Sequence, residues 1–472
     1  MEMGTMCDYD FVSADNSRTH GRFYSPRYPS SYPRNIKCSY RFRARLKERI
    51  RIIFEEITLQ KGDLSCLNRA DIIKVFDGET NLSPTITVLC NEGSEMEVLS
   101  TGSDLCIEFI ANSEFPGQGF KASFQFQPLE EVSSSDADKT IKLLGNHKTY
   151  SVIGPEVSAT TSTCDAIFNS DAGKSGVLSS PHHPAPYPAR SHCRYDFQGR
   201  GKERVQIIFH DVSLYHPGGD AKECESTDAL QAFVHLDGRM EKLESFCGSI
   251  LPRPIMSNGP RLMLEFRGIY SARNVRGFKA SYVFTENYGI TQGKQLPEFP
   301  CGFVFNGSEV TNGTFSSPNY PGPYPRDTEC HYFFHGTHHQ KVHLHFTFFD
   351  VEGVLPCESI SASDYVEFSN SMARDKKFNR HCGQLKEFHV ESDRKFFRVT
   401  FRSNDRLDAT GFTARYTFLN EVESYTIEPE KTDSSSANGS MSIFGLIFPY
   451  LLTIFNTFSS KLYTSSFKRL LT

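Results

Sequence analysis

Thirteen cysteines are the residues of this chain with the most evident chemistry. Zinc-binding cysteines occur in closely spaced pairs, whereas oxidised cysteines join distant segments as disulfides. No C-x-x-C spacing occurs in the sequence. The cysteines therefore predict disulfides, which persist only in an oxidising compartment.

A second group that could bind a metal is a dense set of histidines in the last third of the chain. It consists of His335, His338, His339, His343 and His345. Alternation places His343 and His345 on one face of a predicted strand, whereas His338 and His339 belong to a predicted turn. Because neither a compact spacing nor a carboxylate partner accompanies them, the sequence favours a solvated face over a metal site.

Motifs typical of enzymes are absent from the sequence. It contains no H-E-x-x-H, no G-x-S-x-G and no P-loop. The formal net charge of −5 gives no indication of a nucleic-acid partner. We therefore expect a non-enzymatic protein that does not bind nucleic acid.

The elements that position the cysteines are repeated three times. A stretch of the form S-P-x-x-P-x-x-Y-P, ending in a cysteine, occurs at 25–38, 180–193 and 317–330. Three copies in fixed register indicate a structural turn inside a repeated domain rather than a polyproline linker. The four cysteines of each copy are Cys7, Cys38, Cys66 and Cys90, then Cys164, Cys193, Cys224 and Cys247, then Cys301, Cys330, Cys357 and Cys382.

Alternating apolar residues between the cysteines predict β-strands. Runs such as 50–54, 205–209 and 342–346 have the period of two of a half-buried strand. Each copy closes with a Gly-Phe pair followed by a final strand. Many short strands in each copy, without helical stretches, indicate antiparallel β-sandwiches.

The order of these features resembles the CUB domain. Four cysteines, the S-P-x-x-P-x-x-Y-P turn and the closing G-F-x-A-x-Y/F occur in every copy. The resemblance implies an all-β chain of three tandem jelly-roll β-sandwiches. It also implies a disulfide connectivity that the spacing alone does not select. The implied pairs are Cys7–Cys38, Cys66–Cys90, Cys164–Cys193, Cys224–Cys247, Cys301–Cys330 and Cys357–Cys382.

Composition divides the chain around these copies. The first linker is polar and is expected to be mobile, whereas the second is short and should hold copies two and three closely. The predicted CUB-like domains are 7–126, 164–285 and 301–418, the linkers are 127–163 and 286–300, and a stalk at 419–440, an apolar segment at 441–458 and a basic tail at 459–472 follow.

The apolar segment 441–458 carries no charge and precedes Lys461, Lys468 and Arg469. Its length is near the lower limit for a spanning helix, and the basic flank would place the CUB-like domains outside. We favour a membrane span and keep two alternatives, a removed lipid-anchor signal and a secreted tail.

Further features favour a cell-surface location. Four N-x-S/T sequons predict glycosylation at Asn81, Asn306, Asn312 and Asn438. Residues 1–6 have neither the basic nor the apolar region of a signal peptide, so we expect that the signal peptide is missing from this sequence.

The resemblance implies a calcium site in the third copy. Many CUB domains bind this hard cation through three acidic positions at one end of the sandwich, where it grips a basic side chain of a partner. The matching residues are Glu352, Asp364 and Asn404, with Asp405 as a substitute for the acid expected at Asn404. The alternative is that Glu352 and Asp364 are loop carboxylates satisfied by backbone N–H groups.

The other two copies have weaker ligand sets. The first copy retains one carboxylate, and Ile269 in the second copy argues directly against an ion. The positions are Gln60, Asp71 and Asn112 in the first copy, and Tyr215, Asp228 and Ile269 in the second.

Cys106 is the thirteenth cysteine and has no counterpart in the other copies. Strand alternation places Leu105 and Ile107 on one face and sends Cys106 to the opposite face, with Glu108. Two interpretations of this thiol stay open. It is either buried and inert, or it forms an intermolecular disulfide.

Two segments of the third copy, 341–352 and 382–386, resemble the invertebrate suppressor-of-lurcher group of CUB proteins. The resemblance implies an accessory subunit of an ionotropic glutamate receptor, with a receptor ectodomain or another extracellular protein as partner. Alternatives are a secreted or matrix CUB adaptor and a non-catalytic fragment of a CUB-containing protease.

Overall fold

The computed structural model describes residues 7–14, 19–62, 65–67, 69–128, 164–217, 224–236, 239–270, 272–357, 363–406 and 408–420. Within them, the chain forms six β-sheets, two for each repeat copy. Each pair of sheets is one sandwich, and we call these the first, second and third domains. The all-β fold expected from the sequence is confirmed.

Several predicted features lie outside the described residues. They include most of the first linker, nearly all of the stalk, the apolar segment, the basic tail and Asn438. Across the described ranges, no helix has the length and apolar character needed to cross a membrane. The three domains belong to one compact unit, Met1–Tyr425.

The first domain shows the topology that all three share. One sheet has the order β1-β3-β9-β5-β6 and the other β2-β10-β4-β7, with β8 also paired to β4; β1 and β3 are parallel. Its strands are β1 (Asp8–Val12), β2 (His20–Tyr24), β3 (Ile36–Arg43), β4 (Glu48–Thr58), β5 (Asp71–Phe76), β6 (Thr85–Leu89), β7 (Glu92–Gly93), β8 (Met96–Leu99), β9 (Asp104–Ala111) and β10 (Gly119–Pro128).

The second domain repeats this arrangement with sheets β11-β13-β18-β15-β16 and β12-β19-β14-β17. Its strands are β11 (Ala166–Asn169), β12 (Ser175–Ser179), β13 (Ser191–Gln198), β14 (Arg204–Ser213), β15 (Ala229–Leu236), β16 (Arg239–Phe246), β17 (Ile255–Met256), β18 (Arg261–Gly268) and β19 (Gly277–Thr285).

The third domain has sheets β20-β21-β23-β28-β25 and β22-β29-β24-β26, with β27 also paired to β24. Its strands are β20 (Lys294–Gln295), β21 (Gly302–Asn306), β22 (Asn312–Ser316), β23 (Glu329–His335), β24 (Gln340–Val351), β25 (Tyr365–Ser369), β26 (Gly383–Leu385), β27 (Phe388–Glu391), β28 (Phe396–Arg402) and β29 (Gly411–Asn420).

The repeated serine and glycine join the proline-rich turn to the last strand of each domain. In the first domain, the Ser25 hydroxyl accepts a hydrogen bond from the Phe120 backbone N–H at 2.9 Å. Gly119 precedes that strand residue with a φ of +98°, and a Cβ there would lie 1.8 Å from the Ser25 hydroxyl oxygen. Glycine is therefore required both for the backbone conformation and for the close approach. Ser180 with Gly277 and Ser317 with Gly411 repeat this contact.

The structure contains six disulfides, and they join the pairs that the resemblance implies. The first disulfide of each domain fastens the start of the domain to the end of its proline-rich turn. The bonds are Cys7–Cys38, Cys66–Cys90, Cys164–Cys193, Cys224–Cys247, Cys301–Cys330 and Cys357–Cys382.

Cys106 is unpaired and only 2% exposed. It lies on the predicted face, away from the core side chains Leu105 and Ile107, but that face is covered there. Phe76 lies directly opposite it on β5, and Glu108 on the same face is itself buried. Burial and the charge of Glu108 raise the pKa of the Cys106 thiol. These contacts favour the inert thiol over the intermolecular disulfide.

The second and third domains share a hydrophobic contact. Met256 and Tyr288 pack in the same cluster as the core of the third domain. Asn319, in the third proline-rich turn, accepts a hydrogen bond from the Gln206 side chain at 2.8 Å and donates one to the Pro254 carbonyl at 2.9 Å. The second and third domains are therefore in direct contact.

The first domain meets the other two through polar contacts. The Thr85 N–H, at the edge strand β6, donates to the carbonyl of Pro297 at 2.9 Å. Glu329 of the third domain accepts hydrogen bonds from the Cys66 N–H at 2.8 Å and from the Ser65 hydroxyl. Because Glu329 accepts these hydrogen bonds, the strength of the contact depends on whether its carboxyl is ionised.

Glu329 is a buried carboxylate with a strongly lowered pKa. Burial by itself raises this pKa, but neighbouring His331, Arg402 and Ser65 outweigh burial and lower the pKa to about 2. An unperturbed glutamate titrates near pH ~4.3. The ionised group therefore stabilises the fold fully above that pH, and the stabilisation is lost as the pH falls toward the lowered pKa.

We expect Glu329→Gln to lower the free energy of unfolding by up to about 3 kcal/mol at neutral pH. The difference from the wild-type chain should shrink as the pH falls from ~4.5 to ~2, because Glu329 then becomes protonated. Urea unfolding followed by far-UV circular dichroism over this pH range measures the difference. Glu309→Gln, at an exposed position of the same domain, is the control. A difference that does not vary with pH would contradict this account of Glu329.

Candidate functional site

The tyrosine of each proline-rich turn donates a hydrogen bond to a buried aspartate. The aspartates are 0% exposed; Asp71 begins β5, whereas Asp228 and Asp364 directly precede β15 and β25. The hydroxyl-to-carboxylate distances are 2.6 Å for Tyr32–Asp71, 2.5 Å for Tyr187–Asp228 and 2.6 Å for Tyr324–Asp364. The same bond therefore closes one end of every sandwich.

Backbone N–H groups complete this arrangement. In the second domain, Asp228 Oδ1 accepts from the N–H groups of Ile269 at 2.7 Å and Tyr270 at 2.9 Å. The Tyr187 hydroxyl in turn accepts from the N–H of Tyr215 at 2.9 Å. Such bonds stabilise the ionised form of a buried carboxylate and offset the cost of its desolvation. The second domain has no neighbouring acid at the ligand positions, so Asp228 has this structural role without any second carboxylate.

The first domain has the same pattern. Asp71 Oδ1 accepts from the N–H groups of Asn112 and Ser113, both at 2.8 Å. The Gln60 N–H donates to the Tyr32 hydroxyl at 3.2 Å. In both domains, the three positions that the resemblance named are thus brought together by two backbone N–H groups and the aspartate side chain.

In the third domain, the side chains meet as well. The Glu352 N–H donates to the Tyr324 hydroxyl at 2.9 Å, and the Asn404 N–H donates to Asp364 Oδ1 at 2.6 Å. The Asn404 amide nitrogen lies 3.5 Å from Glu352 Oε2. Glu352, Asp364 and Asn404 therefore form one cluster at the end of the sandwich.

Asp364 has an unusual electrostatic environment within this cluster. Burial raises the pKa of its carboxyl to about 7, and the charge of Glu352 contributes to the increase, although Tyr324 and the Asn404 N–H oppose it. A nearby cation would favour the ionised form. The charge of Arg402 also lowers this pKa, but it does not offset burial and Glu352.

Asp405 does not join the cluster. Its side chain is exposed, and the adjacent Asn404 occupies the third ligand position. The Asn404 amide oxygen accepts a hydrogen bond from the Arg406 N–H at 2.7 Å, so this amide would have to turn to offer its oxygen to an ion. In the part of the chain that the structure describes, no group of three or more His, Cys, Asp or Glu is arranged to hold a metal ion.

The equivalent end of the second domain is aromatic. The rings of Tyr215 and Tyr270 contact each other there, with centroids 5.3 Å apart. Tyr215 and Ile269 offer no carboxylate, and the absence of an ion from this domain stays a prediction. Sequence reasoning missed the role of the turn tyrosine, although its recurrence in all three copies was a signal of it.

Three of the predicted glycosylation sites lie in the described part of the chain. Asn81 and Asn312 are exposed, and Asn306 is partly exposed. The Asn81 amide nitrogen donates to Glu108 at 2.9 Å, a bond that a glycan on that nitrogen would change. Glycosylation at these positions stays a prediction.

A sequence model of the CUB domain matches residues 7–124, 164–282 and 301–416. The chain belongs to the CUB domain family. This family membership confirms the resemblance read from the cysteines and the proline-rich turns.

Curated relatives of this CUB chain include cubilin and tolloid. Cubilin of Canis lupus familiaris is 27% identical over 411 residues, which cover 85% of this chain and 9% of cubilin. The dorsal-ventral patterning protein tolloid of Drosophila melanogaster is 25% identical over 435 residues, covering 85% of this chain and 40% of tolloid. The chain thus spans less than half the length of these relatives.

Solved structures of other CUB domains are similar to parts of the chain. The human MASP-1/3 CUB1-EGF-CUB2 structure is 23% identical with a TM-score of 0.23 and covers 57% of this chain and all of that one. The MASP-1 CUB2 domain bound to Ca2+ is also 23% identical, with a TM-score of 0.21, and covers 26% of this chain and 99% of that one. At these TM-scores, neither match carries an argument about ligands.

We expect Tyr187→Phe to destabilise the chain by about 1–3 kcal/mol, because Asp228 loses a donor while it stays buried. The midpoint of urea unfolding by circular dichroism measures the loss. Tyr270→Phe removes a hydroxyl from a tyrosine that is 53% exposed in the same domain and is the matched control. Equal midpoints for the two variants would show that the Tyr187–Asp228 bond contributes nothing to stability.

Proposed function

We propose that the chain is a non-enzymatic, extracellular protein-binding protein whose third domain binds calcium and, through it, a partner. The observation that carries the proposal is that Glu352 and the buried Asp364 are brought together by their hydrogen bonds with the Tyr324 hydroxyl. Burial and the charge of Glu352 keep the pKa of Asp364 raised, although the charge of Arg402 lowers it. A bound cation would favour the ionised form of Asp364 against burial and the charge of Glu352.

The donor set fits a hard cation. Two carboxylates and an amide oxygen are ligands that calcium accepts, and the buried Tyr324–Asp364 bond holds one carboxylate in place. The resemblance to calcium-binding CUB domains supports a basic side chain of a partner protein as the group gripped there.

The surface beside the cluster suits a protein partner. Val354 and Leu355 follow Glu352 in the chain and are 74% and 65% exposed. Exposed apolar side chains next to a charged site are typical of protein interfaces, where an apolar contact is combined with a few polar anchors.

Six disulfides support an extracellular location. We propose that residues 441–458 attach the chain to the membrane with its three domains outside, and that a receptor ectodomain is the partner. The suppressor-of-lurcher resemblance of 341–352 and 382–386 supports an ionotropic glutamate receptor. The alternatives are a secreted or matrix CUB adaptor and a non-catalytic fragment of a CUB-containing protease.

We expect the full chain to bind one calcium ion in the third domain, with Glu352→Gln weakening this binding by about tenfold or more because the site loses a charged ligand. Isothermal titration calorimetry with CaCl2 measures the affinity. Asp405→Asn is the matched control, since it removes an adjacent exposed carboxylate that lies outside the cluster. No calcium binding, or equal binding by wild-type chain and Glu352→Gln, would overturn the site.

Co-purification of the tagged full chain from neuronal membranes tests the partner. We expect glutamate-receptor subunits to be recovered with the wild-type chain, and Glu352→Gln to recover less of them than Asp405→Asn does. Recovery of the chain without receptor subunits would contradict the receptor assignment and leave the calcium measurement to decide the site itself.

A further inference from the structure

Three histidines form a stack on the outer side of one sheet of the third domain. His343 and His345 lie in β24, and His389 lies in β27, directly opposite His345. The ring centroids of His345 and His389 are 4.2 Å apart, and those of His343 and His389 are 5.1 Å apart. The pairing of β24 with β27 thus adds a third imidazole to the two that share a face in the sequence.

Carboxylates accompany these rings. Glu387 Oε2 lies 3.5 Å from His345 Nε2, and Glu391 pairs with His343 across the two strands. His345 Nε2 is buried and has no hydrogen-bond partner among the described residues. The compact spacing and the carboxylate partner that the sequence lacks are therefore both present in the folded domain.

We propose that His343, His345 and His389 bind one zinc ion. Neutral imidazole is a preferred ligand of zinc and a poor one for calcium, so this site differs in chemistry from the carboxylate cluster. Residues two apart on a strand face the same side, and the cross-strand residue lies next to them. Glu387, whose carboxylate lies beside His345 Nε2, would supply a fourth ligand.

The side chains must turn to form the site. The rings are stacked with interplanar angles of 29° and 19° rather than convergent on one point, which is consistent with the lack of a finished metal cluster in the described chain. His389 is exposed and the other two are partly exposed, so rotation about their side-chain torsions leaves the core intact.

A metal ion at this position would join two strands that have limited pairing. β27 pairs with β24 from His343 to Phe346 only. Zinc bound to side chains of both strands would hold this edge of the sheet together, and ligands that bind the folded state alone stabilise it.

Calorimetric titration of the full chain with ZnCl2 tests the proposal. The wild-type chain should bind a zinc ion that His389→Ala either does not bind or binds at least about tenfold more weakly. The matched control is the double variant His338→Ala and His339→Ala, which removes two exposed histidines of the preceding turn and should bind as the wild type does. Equal zinc stoichiometry and affinity for wild-type chain and His389→Ala would overturn the proposal.

Hydrogen exchange of the wild-type chain supplies a readout that does not depend on any variant. Zinc should slow exchange at the backbone amides of β27 and the paired part of β24, and calcium at the same concentration should not. Unchanged exchange of both strands at saturating zinc would also overturn the proposal.

Discussion

A hydrogen bond between a turn tyrosine and a buried aspartate organises one end of each domain. The tyrosine comes from the proline-rich turn, and the aspartate lies at the start of β5, β15 or β25. Desolvation of the carboxylate is costly, and hydrogen bonds to both of its oxygens offset that cost. The aspartate is consequently present in every domain, whether or not an acidic residue lies beside it.

The three domains thus share this hydrogen-bonded end of the sandwich and differ in the side chains around the aspartate. In the second domain, Tyr215 and Tyr270 cover the end of the sandwich with aromatic rings. In the third, Glu352 and Asn404 lie beside the aspartate, and burial together with the charge of Glu352 raises its pKa. Function resides in such sites rather than in the fold that carries them, which is why the third domain is the one to which we assign a ligand.

Much of the fold could be predicted from the sequence because its signals are local and repeated. The period-two apolar runs predicted strands, and the register of the proline-rich turns predicted three domains. The burial of Cys106 could not be predicted in this way, because it depends on Phe76 of a neighbouring strand. For the same reason His389 was missed, since its pairing with His345 is a contact between distant parts of the chain. The contact of Glu329 with Cys66 joins two domains and has no local signature at all.

The aspartate is structural in all three domains, and we propose that only the third domain adds a calcium site. Hydrogen exchange at the backbone amides of Asn112, Ile269 and Asn404, with and without calcium, tests both statements together. We expect slow exchange at all three amides, because each donates to the buried aspartate, and further slowing by calcium at Asn404 alone. Rapid exchange at Ile269, or a calcium effect that is equal at all three amides, would contradict these statements.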